Sequence, residues 1–186
     1  MVKKAFYLRI DDDIELKLPD ERDATALFQL IDTNRAYLRQ WLPWVDYTKA
    51  EEDERAFIRI CNSQFQDNQN ITCAIWYRNQ IVGSIAYHLF DWANRKVEIG
   101  YWIAEPYQGK GIMTKSCQAL IAYAFDELKL NKVEIRAAID NHRSAAIPQR
   151  LGFVQEGVIR EAERLNNRYI GLRLFGLLER EWRAQQ

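Results

Sequence analysis

The segment from Val97 to Thr114 combines residue types that could hold a phosphate group. It reads as a strand, a turn with Gly109 and Gly111, and the start of a helix. The first N–H groups of a helix have no partner within it, and glycine lets a phosphate approach them without a Cβ in the way. Lys110 adds positive charge, and the threonine adds a hydroxyl. The segment therefore predicts a phosphate cradle, with a simple tight turn as the alternative.

Two common nucleotide-binding motifs do not fit this segment. A P-loop needs a four-residue spacer between its glycines and a lysine followed by serine or threonine, and both features are missing. A dinucleotide-binding fingerprint needs a parallel sheet, whereas the strand before the turn reads as part of an antiparallel meander. The segment by itself therefore leaves its ligand open.

The elements around this segment follow from hydrophobic periodicity and turn residues. In the strand 97–103, Glu98 points away from Val97 and Ile99, because side chains alternate along a strand. The sequence predicts strands at residues 4–10, 14–18, 71–77, 81–90, 97–103, 132–139, 153–159 and 169–178, and helices that open near residues 20, 34, 51, 112 and 141. This mixture predicts an α/β protein.

Composition predicts a soluble cytoplasmic protein. A length of 186 residues suits one domain, 1–186, and the 26 basic residues equal the 26 acidic ones, so no net charge attracts nucleic acid or a membrane. Cys61, Cys73 and Cys117 lack Cys-x-x-Cys spacing, and His88 and His142 are isolated, so we expect neither disulfides nor a metal. No run predicts a signal peptide or a membrane span.

Two motifs in sequence order carry a family resemblance. Gln108, Gly111 and Met113 fall on the pattern Arg/Gln-x-x-Gly-x-Gly/Ala, with methionine in place of the usual small residue. Asn141 and Ser144, followed by Leu-Gly-Phe, fall on Asn-x-x-Ser and Leu-Gly-Phe. Over nearly its whole length the chain resembles the GCN5-related N-acetyltransferases (GNAT). Within them it is close to the ribosomal-protein N-terminal acetyltransferases, in which a Gly-x-Met-Thr variant is familiar.

The resemblance implies a fold and a co-substrate. The fold would be α/β (α+β), with a mixed, mostly antiparallel central sheet of about seven strands flanked by helices. A splay between strands four and five of that fold, here 97–104 and 132–139, would admit the pantetheine arm of acetyl-CoA. The amides of the glycine turn would hold its pyrophosphate, and Asn141 would reach the pantetheine or only cap its helix. The implied cofactor-binding residues are Ile103 and Ala104 through their main chain, Gln108, Gly109, Lys110, Gly111, Ile112, Met113, Thr114, Asn141 and Ser144.

Acetyl transfer from a thioester to an amine requires a neutral amine, a donor for the carbonyl oxygen and a proton for the departing thiolate. Where many relatives carry a tyrosine acid, this chain has Pro148, so Ser144 becomes the candidate that stabilises the thiolate. The proline also predicts a free carbonyl on Ser144 and a kinked helix. Glu163 matches a glutamate proposed as the base in the ribosomal branch, and Glu98 is the rival. Either carboxylate could instead be a solvated surface residue.

The resemblance implies an amine as the acceptor. Tyr37, Trp41 and Trp44 would wall the acceptor site, or would pack in the core. A protein N-terminal α-amine is the favoured acceptor, with a small-molecule amine or a non-catalytic acyl-CoA sensor as alternatives. The family and the aromatic-rich N-terminal third also suggest a homodimer.

Overall fold

The computed structural model describes residues 5–185, apart from the side chain of residue 89. The strands are β1 Tyr7–Arg9, β2 Ile14–Lys17, β3 Ile71–Tyr77, β4 Gln80–Asp91, β5 Lys96–Ile103, β6 Lys132–Ala138, β7 Val154–Leu165 and β8 Arg168–Leu178. The helices are α1 Ala24–Thr33, α2 Arg35–Leu38, α3 Glu51–Gln66, α4 Ile112–Asp126, α5 His142–Arg150 and α6 Glu179–Ala184. These elements confirm the predicted mixture of helices and strands.

All strands of the described residues join one sheet, in the order β1-β2-β3-β4-β5-β6-β8-β7. Every neighbouring pair is antiparallel except β5 and β6, which are parallel. The sheet therefore has eight strands within the described residues, where the resemblance implied about seven. The strand predicted from residue 4 begins at Tyr7, and residue 4 itself lies outside the described residues. That the chain forms a single domain stays a prediction.

Two helix predictions differ from the structure near the N-terminus. The helix expected from residue 20 begins as a 3-10 turn at Glu21–Asp23, because Asp20 caps the first N–H groups there, and α1 starts at Ala24. The helix expected from residue 34 is a single turn, α2, and a second 3-10 turn follows at Pro43–Asp46. These short turns place the aromatic residues of this segment beside the sheet.

The two faces of the sheet differ in the size of their side chains. The face toward α4 carries large apolar residues that form the main core, among them Ile85, Tyr87, Ile99, Val133 and Ile135. On the face toward α1 and α3, the smaller residue Ala74 of β3 packs against Leu27 of α1 and Ile58 of α3. Small side chains on that second face leave room for a cleft between the sheet and the helices.

β5 and β6 separate partway along their length. They pair from Lys96 opposite Lys132 to Ile99 opposite Ile135. Beyond Ile99, β5 continues beside β4, and β6 continues beside β8 as far as Ala138. The predicted splay between residues 97–104 and 132–139 is therefore confirmed, and it lies between the fifth and sixth strands of the chain.

Candidate active site

The main chain of β5 presents unpaired polar groups to the splay. The Ala104 N–H donates to the Val82 carbonyl at 2.9 Å, which makes these two residues a hydrogen-bonded pair. Because such pairs alternate along antiparallel strands, the N–H and C=O groups of Tyr101 and Ile103 point away from β4 and toward the splay. Ile103 is therefore placed as predicted for a main-chain contact with an extended ligand.

Ala104 does not offer the main-chain contact that was predicted for it. Its N–H is used by Val82, and its carbonyl accepts from the N–H of Tyr107 at 3.0 Å. The residue is fully buried. Because both polar groups already have partners within the chain, we remove Ala104 from the candidate contacts.

The glycine turn before α4 forms an anion-binding arrangement. Gly109 and Gly111 have φ angles of +71° and +75°, and nothing lies within 4 Å of a Cβ built on either residue. Within residues 5–185, the N–H groups of residues 109–114 donate to no acceptor. Ile112 and Met113 bury their side chains in the core, so they contribute only their main chain here. The turn therefore fits a pyrophosphate, as the sequence predicts.

Gln108 links this turn to two other elements. Its amide nitrogen donates to the hydroxyl of Tyr37 on α2, and its amide oxygen accepts from Arg143 on α5 at 2.7 Å. Gln108 therefore positions the turn through its side chain. Lys110 lies 5.0 Å from the centre of the Tyr107 ring.

A second arginine adds positive charge beside the glycine turn. Arg150 donates to the Thr114 hydroxyl at 3.2 Å. Arg143 and Arg150 are seven residues apart, so they share one face of α5, and both line the same cleft as the turn. Their charges complement a pyrophosphate.

Asn141 and Ser144 lie at the start of α5. The Asn141 side-chain oxygen accepts from the Ser144 N–H at 3.0 Å, which confirms the predicted cap. Pro148 lies inside the helix and cannot donate to the Ser144 carbonyl. The Tyr101 hydroxyl takes that position and donates to this carbonyl at 3.1 Å. The predicted free carbonyl is thus paired by a strand residue, while the kink of the helix stays a prediction.

Ser144 and Tyr101 form a hydroxyl pair in the splay. The Ser144 Oγ donates to the Tyr101 hydroxyl at 3.3 Å. Burial raises the pKa of Tyr101 well above its usual value, so this hydroxyl stays protonated. The pair therefore places two neutral hydroxyl groups beside the main-chain groups of β5, and the proton of each is directed at an acceptor within the chain.

The two candidate bases differ in their surroundings. Glu98 lies on the face opposite the main core, and its Oε2 is 3.1 Å from Arg136 Nε without a hydrogen bond. Burial raises the pKa of Glu98 and Arg136 opposes this, while Glu134 and Glu163 raise the pKa further. Glu163 on β7 is exposed at the edge of the same cleft.

The predicted aromatic wall lies along this cleft. Tyr37, Trp41 and Trp44 are half-buried and line it. Trp44 also packs against Trp102 of β5, with ring centres 6.0 Å apart, and against the cluster of Ile31, Leu38 and Val45. The two predicted roles, wall and core packing, therefore coexist.

One cleft of about 1550 Å³ connects all of these groups except Ala104 and Lys110. Pockets for one small ligand are usually about 300–1,000 Å³. The cleft can therefore hold a long cofactor and part of a second molecule at the same time.

Comparison with known proteins identifies the family. The family described as an acetyltransferase (GNAT) domain matches residues 13–154. The chain belongs to the GNAT acetyltransferases. It is 37% identical to "Putative ribosomal N-acetyltransferase YdaF" of Bacillus subtilis (strain 168), over 97% of this chain and 100% of that protein.

Two solved structures are similar to the acetyltransferase. One is RimL, a ribosomal L7/L12 α-N-protein acetyltransferase in complex with coenzyme A, with a TM-score of 0.90, 29% identity and coverage of 93% of this chain and 98% of that one. The other is the microcin C7 self-immunity acetyltransferase MccE in complex with acetyl-CoA and AMP, with a TM-score of 0.89, 29% identity and coverage of 92% and 95%. The protein is thus an N-acetyltransferase of the ribosomal-type branch, and acetyl-CoA is its co-substrate.

Tyr101, Arg143 and Arg150 contribute to this acetyltransferase's cleft and were not among the predicted site residues. By alternation along β5, Tyr101 shares the side of Val97 and Ile99, and in the sequence only the carbonyl freed by Pro148 indicates that a donor is needed there. The sequence could have indicated Arg143 and Arg150, because a spacing of two helical turns puts both on one face of the predicted helix.

The described residues show neither a metal-binding cluster nor a membrane-spanning helix. In the described part of the chain, no group of three or more histidine, cysteine, aspartate or glutamate side chains could hold a metal ion. No helix among the same residues is both long and apolar enough to cross a bilayer. Cys61, Cys73 and Cys117 are buried and free.

Proposed function

We propose that this acetyltransferase moves the acetyl group of acetyl-CoA directly to a protein N-terminal α-amine in a ternary complex. The observation that carries the proposal is the continuity of the cleft, which joins the glycine turn and the splay to the aromatic wall and to two carboxylates. Its volume suits two molecules bound together. The acceptor in the name of RimL, the α-amine of ribosomal protein L7/L12, supports a protein N-terminus.

In this proposal the cofactor is held mainly by main-chain groups. The free N–H groups of residues 109–114 bind the pyrophosphate, and Arg143 and Arg150 add charge. Ile103 and Asn141 contact the pantetheine arm within the splay. Acetyl-CoA supplies the thioester that is cleaved.

The hydroxyl groups of Ser144 and Tyr101 stabilise the leaving group in this proposal. Ser144 Oγ stabilises the departing thiolate, and the Tyr101 hydroxyl, buried and neutral, orients this serine. The Tyr101 hydroxyl donates to the Ser144 carbonyl and its pKa is raised, so this tyrosine positions the serine and does not act as the acid.

Glu98 is the better-placed base. Burial and the nearby Glu163 raise its pKa, which strengthens it as a proton acceptor. Glu163 itself is exposed, so we assign it an indirect effect through its charge on Glu98. Arg136 limits this rise in pKa and fixes the side of the cleft that the carboxylate faces.

An α-amine suits this modest base catalysis. Its pKa is about 8, against about 10.4 for a lysine side chain, so a larger share is already neutral near pH 7. An acceptor of this kind needs less help in losing its proton.

The test measures turnover with a panel of peptides that differ in their N-terminal residue. Release of the free thiol reports the rate, and mass spectrometry locates the acetyl group on the product. The proposal expects acetylation at the α-amine and none at lysine side chains. Turnover with small amines and with none of the peptides would show that the acceptor is a small-molecule amine. Saturable acetyl-CoA binding without turnover on any acceptor would indicate a sensor.

A further inference from the structure

The first turn of α3 contains four acidic residues, and one of them differs from the other three. Glu51 accepts a hydrogen bond from Thr25 at 2.9 Å. Glu52 forms ion pairs with Arg55 and Arg59. Asp53 accepts hydrogen bonds from the main-chain N–H groups of Lys49 and Ala50. Within residues 5–185, Glu54 has neither a hydrogen bond nor an ion pair.

Glu54 is also the buried member of this group. It is 5% exposed and lines the cleft on the side of α1 and α3. The same cleft is lined by five small residues of the sheet, together with the larger His88 and Trp102; the small residues are Thr72, Ala74, Ser84, Ala86 and Gly100. The carboxyl group therefore borders open space rather than a close-packed core.

A buried carboxyl group without a partner destabilises a fold unless something binds it. Burial raises the pKa of Glu54 to about 7. The helix dipole near the start of α3 gives only a small compensation. A ligand group that pairs with Glu54 would remove most of the cost.

Glu54 lies apart from the reacting groups. It lies on α3, whereas Ser144 lies at the start of α5 and Glu98 lies on β5. The amine to be acetylated must meet the thioester beside Ser144, so a group that reaches Glu54 belongs to another part of the acceptor.

We propose that Glu54 binds a second, positively charged group of the acceptor, at a subsite separate from the amine that is acetylated. This inference rests on the proposed function, because it needs an acceptor in the cleft beneath α3. For a peptide, the group is a lysine or arginine side chain close to the N-terminus. Such a subsite selects acceptors by charge without taking part in the chemistry.

The experiment compares Glu54→Gln with Glu51→Gln, which removes a charge from the same helical turn outside the cleft. Peptides carry lysine or glutamine at position two, three or four and are otherwise identical. The protein should prefer lysine at one of these positions by about tenfold in kcat/KM, the size of one charged hydrogen bond. Glu54→Gln should abolish that preference by raising KM for the lysine peptide, with kcat unchanged, and Glu51→Gln should keep it.

Two results would overturn the subsite. One is a wild-type protein that prefers lysine at none of the three positions. The other is a Glu54→Gln variant that slows the lysine and glutamine peptides equally, as expected of a purely structural residue. The melting temperature of Glu54→Gln is the control for correct folding. It should equal or exceed that of the wild type, because the unpaired carboxyl group has been removed.

If no peptide is acetylated, the proposed function fails while the subsite remains testable. A diamine is then compared with the monoamine of equal chain length as the acceptor. A diamine preference that disappears in Glu54→Gln supports the subsite, and a preference that persists in that variant contradicts it.

Discussion

The Tyr101 hydroxyl donates to the main-chain carbonyl of Ser144, and the Ser144 hydroxyl donates back to Tyr101. The first of these bonds exists because Pro148 has no N–H for that carbonyl. A proline in α5 and a tyrosine in β5 thereby fix the serine side chain at the splay.

Replacing Tyr101 with phenylalanine should lower kcat by about tenfold, the worth of one net hydrogen bond near 1.4 kcal/mol. KM for acetyl-CoA should not change, because the glycine turn is untouched. Tyr87→Phe is the matched control, since that buried hydroxyl bonds the Leu120 carbonyl in the core. Steady-state kinetics with both variants makes the comparison, and an equal loss of kcat in the control would assign the effect to packing.

The pH profile of kcat/KM should separate the two carboxylates. If Glu98 is the base, activity rises with pH through its raised pKa, and Glu98→Gln removes that acidic limb. Glu163→Gln should keep the limb and move it to lower pH, because a negative neighbour that raises the pKa of Glu98 is gone. Profiles unchanged in both variants would exclude a side-chain base.

Gly111→Ala should weaken acetyl-CoA binding. The φ angle of +75° is strained for alanine by about 1–2 kcal/mol, which corresponds to roughly five- to thirtyfold in affinity if the turn relaxes. Gly157→Ala is the control, since nothing lies within 4 Å of its added Cβ and its φ is not in the left-handed region. Calorimetric titration with coenzyme A measures both, and unaltered binding in Gly111→Ala would remove the turn from the site.

Glu54 should make the free protein less stable as the pH rises. Its pKa is about 7 in the folded chain against 4.5 unfolded, so between these values the folded state holds more protons. The free energy of unfolding therefore falls by roughly 3 kcal/mol from pH 4.5 to 7 on account of this residue. The contribution of Glu54 to the free energy of unfolding no longer changes once the pH is well above 7.

Glu54→Gln should flatten this component of the pH dependence, so that the variant gains stability over the wild type as the pH increases. Urea unfolding at several pH values measures the difference. A difference that stays constant between pH 5 and 8 would show that Glu54 titrates normally.

Much of this protein could be predicted from its sequence, because the features concerned are local. Glycines at 109 and 111 before an apolar helix determine the turn, and Asn141 three residues before Ser144 determines the cap. The strand boundaries agree within three residues except in β7, which was predicted to end at residue 159 and continues to Leu165, and α6 was not predicted. The larger miss was the N-terminal helix pair, where capping by Asp20 and the Pro43–Asp46 turn overrode the apolar spacing.

Tertiary structure alone decided which distant groups meet. Tyr101 and Ser144 are 43 residues apart, and Tyr37 and Gln108 are 71 apart. Their contacts depend on the strand order and on the separation of β5 from β6, which no local pattern encodes. The same holds for Glu54, which the sequence shows as one acid among four. Only the packing of α3 over the sheet buries this carboxyl and leaves it without a partner, because burial depends on what the rest of the chain places around a residue.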